Sequence, residues 1–193
     1  MEILSLAVIT VTLKIRLWQI VRPENGVGKA VEKEKIRILI VDDEEQFLQT
    51  AKKTLQARNF QVITASTGKQ AVEAARRYPV DVALVDLKMP GMNGEQILET
   101  LKKEHKWMEV IILTGYGSID SAVECTKKGA FSYLQKPCST ERLISVLTEA
   151  YERRAMNKMK AREEDLKEIF KTAGSDTPLY ILRKIKLLNR EGE

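Results

Sequence analysis

Several residue types and runs that most often announce a chemistry are scarce in this chain. Among 193 residues there are two cysteines and one histidine. Cys125 and Cys138 have neither a CxxC spacing nor partner histidines, which argues against a thiolate metal site, favours a reducing compartment and leaves both as small hydrophobes. His105, between Glu104 and Lys106, reads as a surface residue, and no ATP-binding motif accompanies it, so a histidine kinase is disfavoured. Gly26-Val27-Gly28-Lys29-Ala30 fails as a phosphate loop, because Pro23 stands where the first glycine belongs and Ala30 replaces the hydroxyl. An uninterrupted membrane-length apolar run is also missing. Residues 1–21 are apolar but broken by Lys14 and Arg16, short of the roughly 20 consecutive apolar residues that span a bilayer. No basic stretch precedes them and no small-residue cleavage site follows, so they make a poor secretory signal. Val11, Leu13, Ile15 and Leu17 alternate with Thr10, Thr12, Lys14 and Arg16, which predicts a half-buried strand, with an interfacial anchor as second reading and a membrane span as third. Membrane contact is therefore expected only through residues 1–21, and the protein is expected to be cytoplasmic. The net charge of +5 comes from basic residues interleaved with glutamate, so no basic block points to nucleic acid.

What is present is a regular alternation. With 44% hydrophobic residues the composition suits a globular core with polar appendages. After a linker rich in charge, Asn and Gly, residues 36–41 form an apolar run ending in Asp42-Asp43-Glu44. A helix with Leu48, Ala51 and Leu55 on one face follows, then a strand over 60–64 and a helix over 68–78. Residues 82–86 are a short run buried on both faces that ends on Asp86, before a Pro90-Gly91 loop. A helix over 93–103, a strand over 110–114, a helix over 118–128 with Ile119, Ala122 and Val123 inward, and a strand over 131–134 continue the series. The closing helix carries Leu143, Val146, Leu147, Ala150 and Tyr151 at helical spacing. Strands alternating with helices predict a flavodoxin-like, doubly wound α/β fold: a five-stranded parallel sheet, order 2-1-3-4-5, with helices on both faces and a helical C-terminal extension. Three regions are expected: an apolar segment and linker over 1–35, the α/β domain over 36–151, and a charged helical extension over 152–193.

That topology brings the carboxyl ends of the first and third strands together, so Asp42 and Asp43 should lie beside Asp86. Clustered carboxylates repel one another unless a cation joins them, and an oxygen-only set suits Mg²⁺. Thr114 ends the fourth strand and Lys136-Pro137 follows the fifth, offering a hydroxyl and an ammonium to a phosphoryl group on Asp86.

The stretch from Ile38 to Glu44, the VDLKMPGMNG string from Val85 to Gly94, Thr114-Gly115 and Tyr133-Leu134-Gln135-Lys136-Pro137 together resemble the receiver domain of two-component response regulators, over residues 36 to about 151. The resemblance implies that Asp86 is the phosphoacceptor and that Asp43, Asp86 and the Lys88 carbonyl ligate Mg²⁺, with Asp42 acting through a bound water. It implies that Lys136 pairs with the phosphoryl oxygens, that Thr114 is the switch hydroxyl and that Tyr133 is the rotating aromatic. The donor would be a sensor histidine kinase or phosphotransfer protein, and the output a protein target docking on the fourth helix, fifth strand and fifth helix. Beyond phosphorylating and dephosphorylating itself, no enzyme activity is expected. Lys88 and Tyr116, two residues past the acceptor and the switch threonine, are candidates for tuning phosphate lifetime, or else simply face solvent.

The extension, dense in alternating Arg, Lys and Glu, reads as a solvated helix laced with i,i+4 pairs. A dimeric coiled coil is the other reading, its Ala155, Met159, Leu166, Ile169 seam interrupted by Arg162. A further short helix is expected over 179–188. The tail is too short for a winged helix or an AAA+ ATPase and lacks a helix-turn-helix pair. A single-receiver regulator acting by protein contact is therefore expected, with a homodimer left open and nucleic acid not expected. The rival is a dimeric DNA-binding transcriptional regulator using the extension. An aspartyl phosphatase of the haloacid dehalogenase kind is disfavoured because its DxD string is replaced by adjacent Asp42-Asp43.

Overall fold

The computed structural model describes residues 35–115 and 118–172. The expected strand near residues 10–17, Tyr116 and the helix over 179–188 lie outside these. In chain order the elements are β1 (Arg37–Val41), α1 (Glu45–Gln56), β2 (Gln61–Ala65), α2 (Gly68–Arg77), β3 (Val82–Val85), α3 (Gly94–Glu104), β4 (Glu109–Thr114), α4 (Ile119–Lys127), β5 (Ser132–Gln135) and α5 (Thr140–Thr172). The five strands form one parallel sheet in the order β2-β1-β3-β4-β5. The expected architecture is therefore observed, with strand and helix ends shifted by about a residue.

Branched side chains explain the central strands. β1, β3 and β4 are nearly continuous Ile, Leu and Val, which suits strands covered on both faces. The two-residue alternation then sorts them into two cores. Leu39, Val41, Ala83, Val85, Val110 and Ile112 join Ala71 and Ala75 of α2 and Ile97, Leu98 and Leu101 of α3. Ile38, Ile40, Val82, Leu84, Ile111 and Leu113 join Leu48 and Leu55 of α1 and Leu143, Val146 and Leu147 of α5. Each fully buried aliphatic contributes about 1.5–3 kcal/mol by leaving water. Leu84→Ala, at 1% exposure, should cost about 2–5 kcal/mol.

Helix starts carry their signals in sequence. The Thr67 hydroxyl accepts from the Gln70 amide at the head of α2, and Asn93 with Gln96 forms a reciprocal cap on α3. α2 ends at Tyr78, held extended before Pro79 as the proline ring requires.

One expected face is wrong. Ile119 and Val123 of α4 are 84% and 46% exposed, while Cys125 is fully buried and Ala122 half-buried. Polar contacts set the rotation of this helix. The Ser121 hydroxyl meets the Tyr133 hydroxyl at 3.1 Å, and Lys128, just past the end of α4, binds Glu95 at 2.6 Å and Glu99 at 2.9 Å on α3. These contacts turn the 121–125–128 stripe inward and Ile119 and Val123 outward. The two carboxylates also push the Lys128 ammonium above the usual lysine range, chiefly through its hydrogen bond to Glu95.

A boundary between two compact units falls after Glu152. In the second, α5 continues to Thr172 with Met156 and Met159 exposed and a Glu163–Lys167 ion pair at i,i+4.

Candidate functional site

The site is built from strand register. Val41 lies opposite Val85, so the residues that follow, Asp42 and Asp86, leave the sheet side by side. Both are anchored by backbone: the Asp42 amide donates to the Ala65 carbonyl at 3.1 Å and the Asp86 amide to the Val41 carbonyl at 2.9 Å. Asp42 and Asp86 are buried and Asp43 is exposed, and carboxylate oxygens of all three lie within 4.8 Å of one another. Such a set of hard oxygen donors, open on one side, could hold a divalent cation.

On the other side of β3, Thr114 closes β4 fully buried, and the Lys136 amide donates to its carbonyl at 2.9 Å. This contact places Lys136 at the same rim. Its ammonium donates to Asp42 Oδ2 at 2.5 Å, lies 3.7 Å from Glu44 Oε1 and stands 4.2 Å over the centre of the Phe47 ring. The other Asp42 oxygen, Oδ1, accepts from the Glu44 amide at 3.0 Å. Burial pushes the Asp42 carboxyl above its ordinary value. The Lys136 and Glu44 hydrogen bonds oppose that rise, and the neighbouring Asp86 charge adds to it.

Asp86 is oriented by its own loop, since Oδ1 accepts from the Leu87 amide at 2.8 Å. The loop is pinned by burying Leu87 and Met89, which leaves Lys88 exposed between them, and it turns at Gly91 with φ +83°. Gly94 then packs onto it: an added Cβ would stand 2.3 Å from the Asp86 carbonyl oxygen. An open groove of about 840 Å³ runs from this loop, along Lys88 and Pro90, to Ser118 and Ser121 at the head of α4. Tyr133, half-buried, reaches the same helix through Ser121.

Asp42, Asp43, Asp86 and Lys136 thus meet at one rim, Thr114 lies one strand away, and Lys88 borders the groove beside them. Tyr133 stands next to α4 rather than at the acid cluster. Residues 38–148, more than half of the chain, match the response regulator receiver domain. The chain belongs to the response regulator receiver family. It is 33% identical over 132 residues to the alginate biosynthesis transcriptional regulatory protein AlgB of Pseudomonas aeruginosa, covering 68% of this chain and 29% of that protein. Among solved structures, a receiver domain protein of Clostridium thermocellum aligns with TM-score 0.59 and 36% identity, over 63% of this chain and 98% of the other. The beryllofluoride-activated NtrC4 receiver domain dimer aligns with TM-score 0.59 and 33% identity, over 61% and 98%. This receiver therefore works in two-component phosphorelay signalling, and its chain spans less than a third of the length of AlgB. No helix among the described residues is long and apolar enough to cross a membrane.

Three contacts escaped the sequence: Phe47 over Lys136, Ser121 on Tyr133, and Gly94 against the Asp86 carbonyl. A glycine at the first position of a helix was a usable signal for the last, because nothing in helix propensity favours it there. The others pair residues far apart in sequence, with no spacing rule to betray them.

Proposed function

We propose that Asp86 accepts a phosphoryl group from the phosphohistidine of a sensor histidine kinase or phosphotransfer protein, and that this receiver signals through an altered protein-binding face. The observation that carries the reading is the gathering of Asp42, Asp43 and Asp86 against Lys136 at one rim of the sheet. Mg²⁺, held by Asp43, Asp86 and the Lys88 carbonyl with Asp42 through a water, would supply positive charge to the transferring oxygens.

The chain's own groups do the rest. The Leu87 amide fixes one Asp86 oxygen and so aims the carboxylate for in-line attack on phosphorus. The new bond is Asp86 O–P, the bond broken is imidazole N–P, and the electron pair leaves with the imidazole. Lys136 moves its ammonium from Asp42 toward the phosphoryl oxygens, and the Thr114 hydroxyl donates to one of them. Withdrawal of Thr114 toward the phosphoryl frees space for Tyr133, whose rotation breaks its bond to Ser121 and changes the surface of α4, β5 and α5. The acyl phosphate is later hydrolysed at the same site, with Lys88 bordering the path of attacking water and, together with Tyr116, setting its lifetime. Apart from this self-catalysed transfer and loss the protein is not an enzyme.

The receiver occupies residues 36–151, preceded by an apolar segment and linker and followed by a charged extension over 152–193. The phosphorylated form meets a protein target, and the activated dimer of the related NtrC4 receiver favours a homodimer here too. A cytoplasmic location fits this role. A second reading, transcriptional control through DNA, draws on the regulatory name of AlgB; a retarded band with random duplex at physiological salt would favour it. The primary test is acetyl phosphate with Mg²⁺: wild type should gain acid-labile phosphate and Asp86→Asn should gain none. Label retained by the Asn variant ends the proposal.

A further inference from the structure

We infer that Phe47 is a positioning residue for Lys136, holding its ammonium at the acid cluster through the face of the aromatic ring. The inference rests on the phosphoryl-accepting role of the site. Phe47 lies in the first turn of α1, half-buried against the core beneath that helix, and its ring centre stands 4.2 Å from the Lys136 nitrogen. On its other sides the ammonium meets Asp42 Oδ2 at 2.5 Å and Glu44 Oε1 at 3.7 Å, and its side chain is 17% exposed. The two kinds of partner act differently. A carboxylate fixes the ammonium at one point, through a directed bond that must break before Lys136 can turn to a phosphoryl oxygen. A ring face attracts a cation over a broad area, so the ammonium slides across it and keeps that attraction at both ends of its path. The ring also excludes water from one side of the ammonium, which strengthens its pull on a phosphoryl oxygen. An aliphatic residue at 47 would fill the same space above the α1 core without attracting the charge.

The test uses the full chain and two readouts. In the metal-free protein, the Lys136 side-chain methylene protons nearest the nitrogen should resonate upfield through the Phe47 ring current. That displacement should vanish in Phe47→Leu and persist in Phe47→Tyr. With acetyl phosphate and Mg²⁺, Phe47→Leu should take up phosphate about fivefold more slowly than wild type, the factor expected from losing a partly exposed cation–π contact. Phe47→Tyr should restore the rate. In a Lys136→Met background the Leu substitution should change nothing further. Wild-type resonances or a wild-type labelling rate in Phe47→Leu would overturn the inference, as would equal slowing in the Lys136→Met background. So would a defect seen with a kinase donor and absent with acetyl phosphate, which would make Phe47 a docking residue. Should wild type itself take no label, the phosphoryl-accepting reading falls, while the resonances still judge the contact.

Discussion

The two ends of this sheet handle buried acid in opposite ways. At the amino end, Asp81 is 3% exposed and is met by Arg37 three times: its Oδ2 accepts from the Arg37 amide at 2.9 Å and from Nε at 3.0 Å, and its Oδ1 accepts from Nη2 at 2.7 Å. Glu109, also 3% exposed, lies 3.4 Å from the Lys102 ammonium. Each acid there is matched with a cation fixed in the chain, as a buried charge requires. At the carboxyl end, Asp42 has Lys136, but Asp43 and Asp86 bring two more carboxylates into the same 4.8 Å. The amino end is finished as built. The carboxyl end gathers negative charge around a place for something cationic, and that surplus distinguishes a site from a structural ion pair.

The comparison can be broken by exchanging its halves. Asp86→Asn should abolish phosphate uptake from acetyl phosphate while the protein stays folded; unfolding of this variant would instead class Asp86 with Asp81. Asp81→Asn should do the reverse, costing about 3 kcal/mol in urea denaturation because the Arg37 guanidinium loses its charged partner, while the folded fraction labels normally. A loss smaller than 1 kcal/mol would deny Asp81 its structural role. Gly94→Ala should cost about 1–3 kcal/mol and slow labelling, since the new methyl group forces the Asp86 carbonyl away. A wild-type melt with wild-type labelling would refute the close approach.

The smallest effect sharpens the contrast through pH. Burial raises the folded Asp42 carboxyl above its ordinary value of 3.8, so the folded state holds its proton more tightly than the unfolded chain. Stability is therefore lost as pH rises from about that value through the folded one. In metal-free buffer, Asp42→Asn should gain on wild type as pH rises across that interval, and added Mg²⁺ should stabilise wild type more than the variant. A difference flat from pH 4 to pH 7 would remove this reasoning.

Much of this organisation is legible in the sequence, for identifiable reasons. A parallel sheet covered on both faces writes its strands as unbroken Ile-Leu-Val runs, and five of them alternating with helices in a domain of flavodoxin-like size point to the order 2-1-3-4-5, and with it to the meeting of Asp42, Asp43 and Asp86. Lys136 was readable for the same reason, as a charged residue just beyond a strand. What the pattern could not supply was rotation and partner. The α4 stripe Ile119–Ala122–Val123 has the right spacing for a core face, yet Ser121 and Lys128 decide which side turns inward through contacts with Tyr133, Glu95 and Glu99. Hydrophobic period identifies a face, and polar groups on neighbouring elements choose among candidates. Phe47 reads as an ordinary core-edge residue until the ammonium above it is seen.

The attachment of α4 has a consequence for the timing of its motions. Its tail is moored by an ammonium between two carboxylates, whereas its head is joined to β5 through a pair of neutral hydroxyls. Deuterium should enter the amides of the first turn well before those of the last, and the early turn should open before any wholesale loosening of the domain. The more loosely held end of the helix is the one that shares a groove with the loop following Asp86.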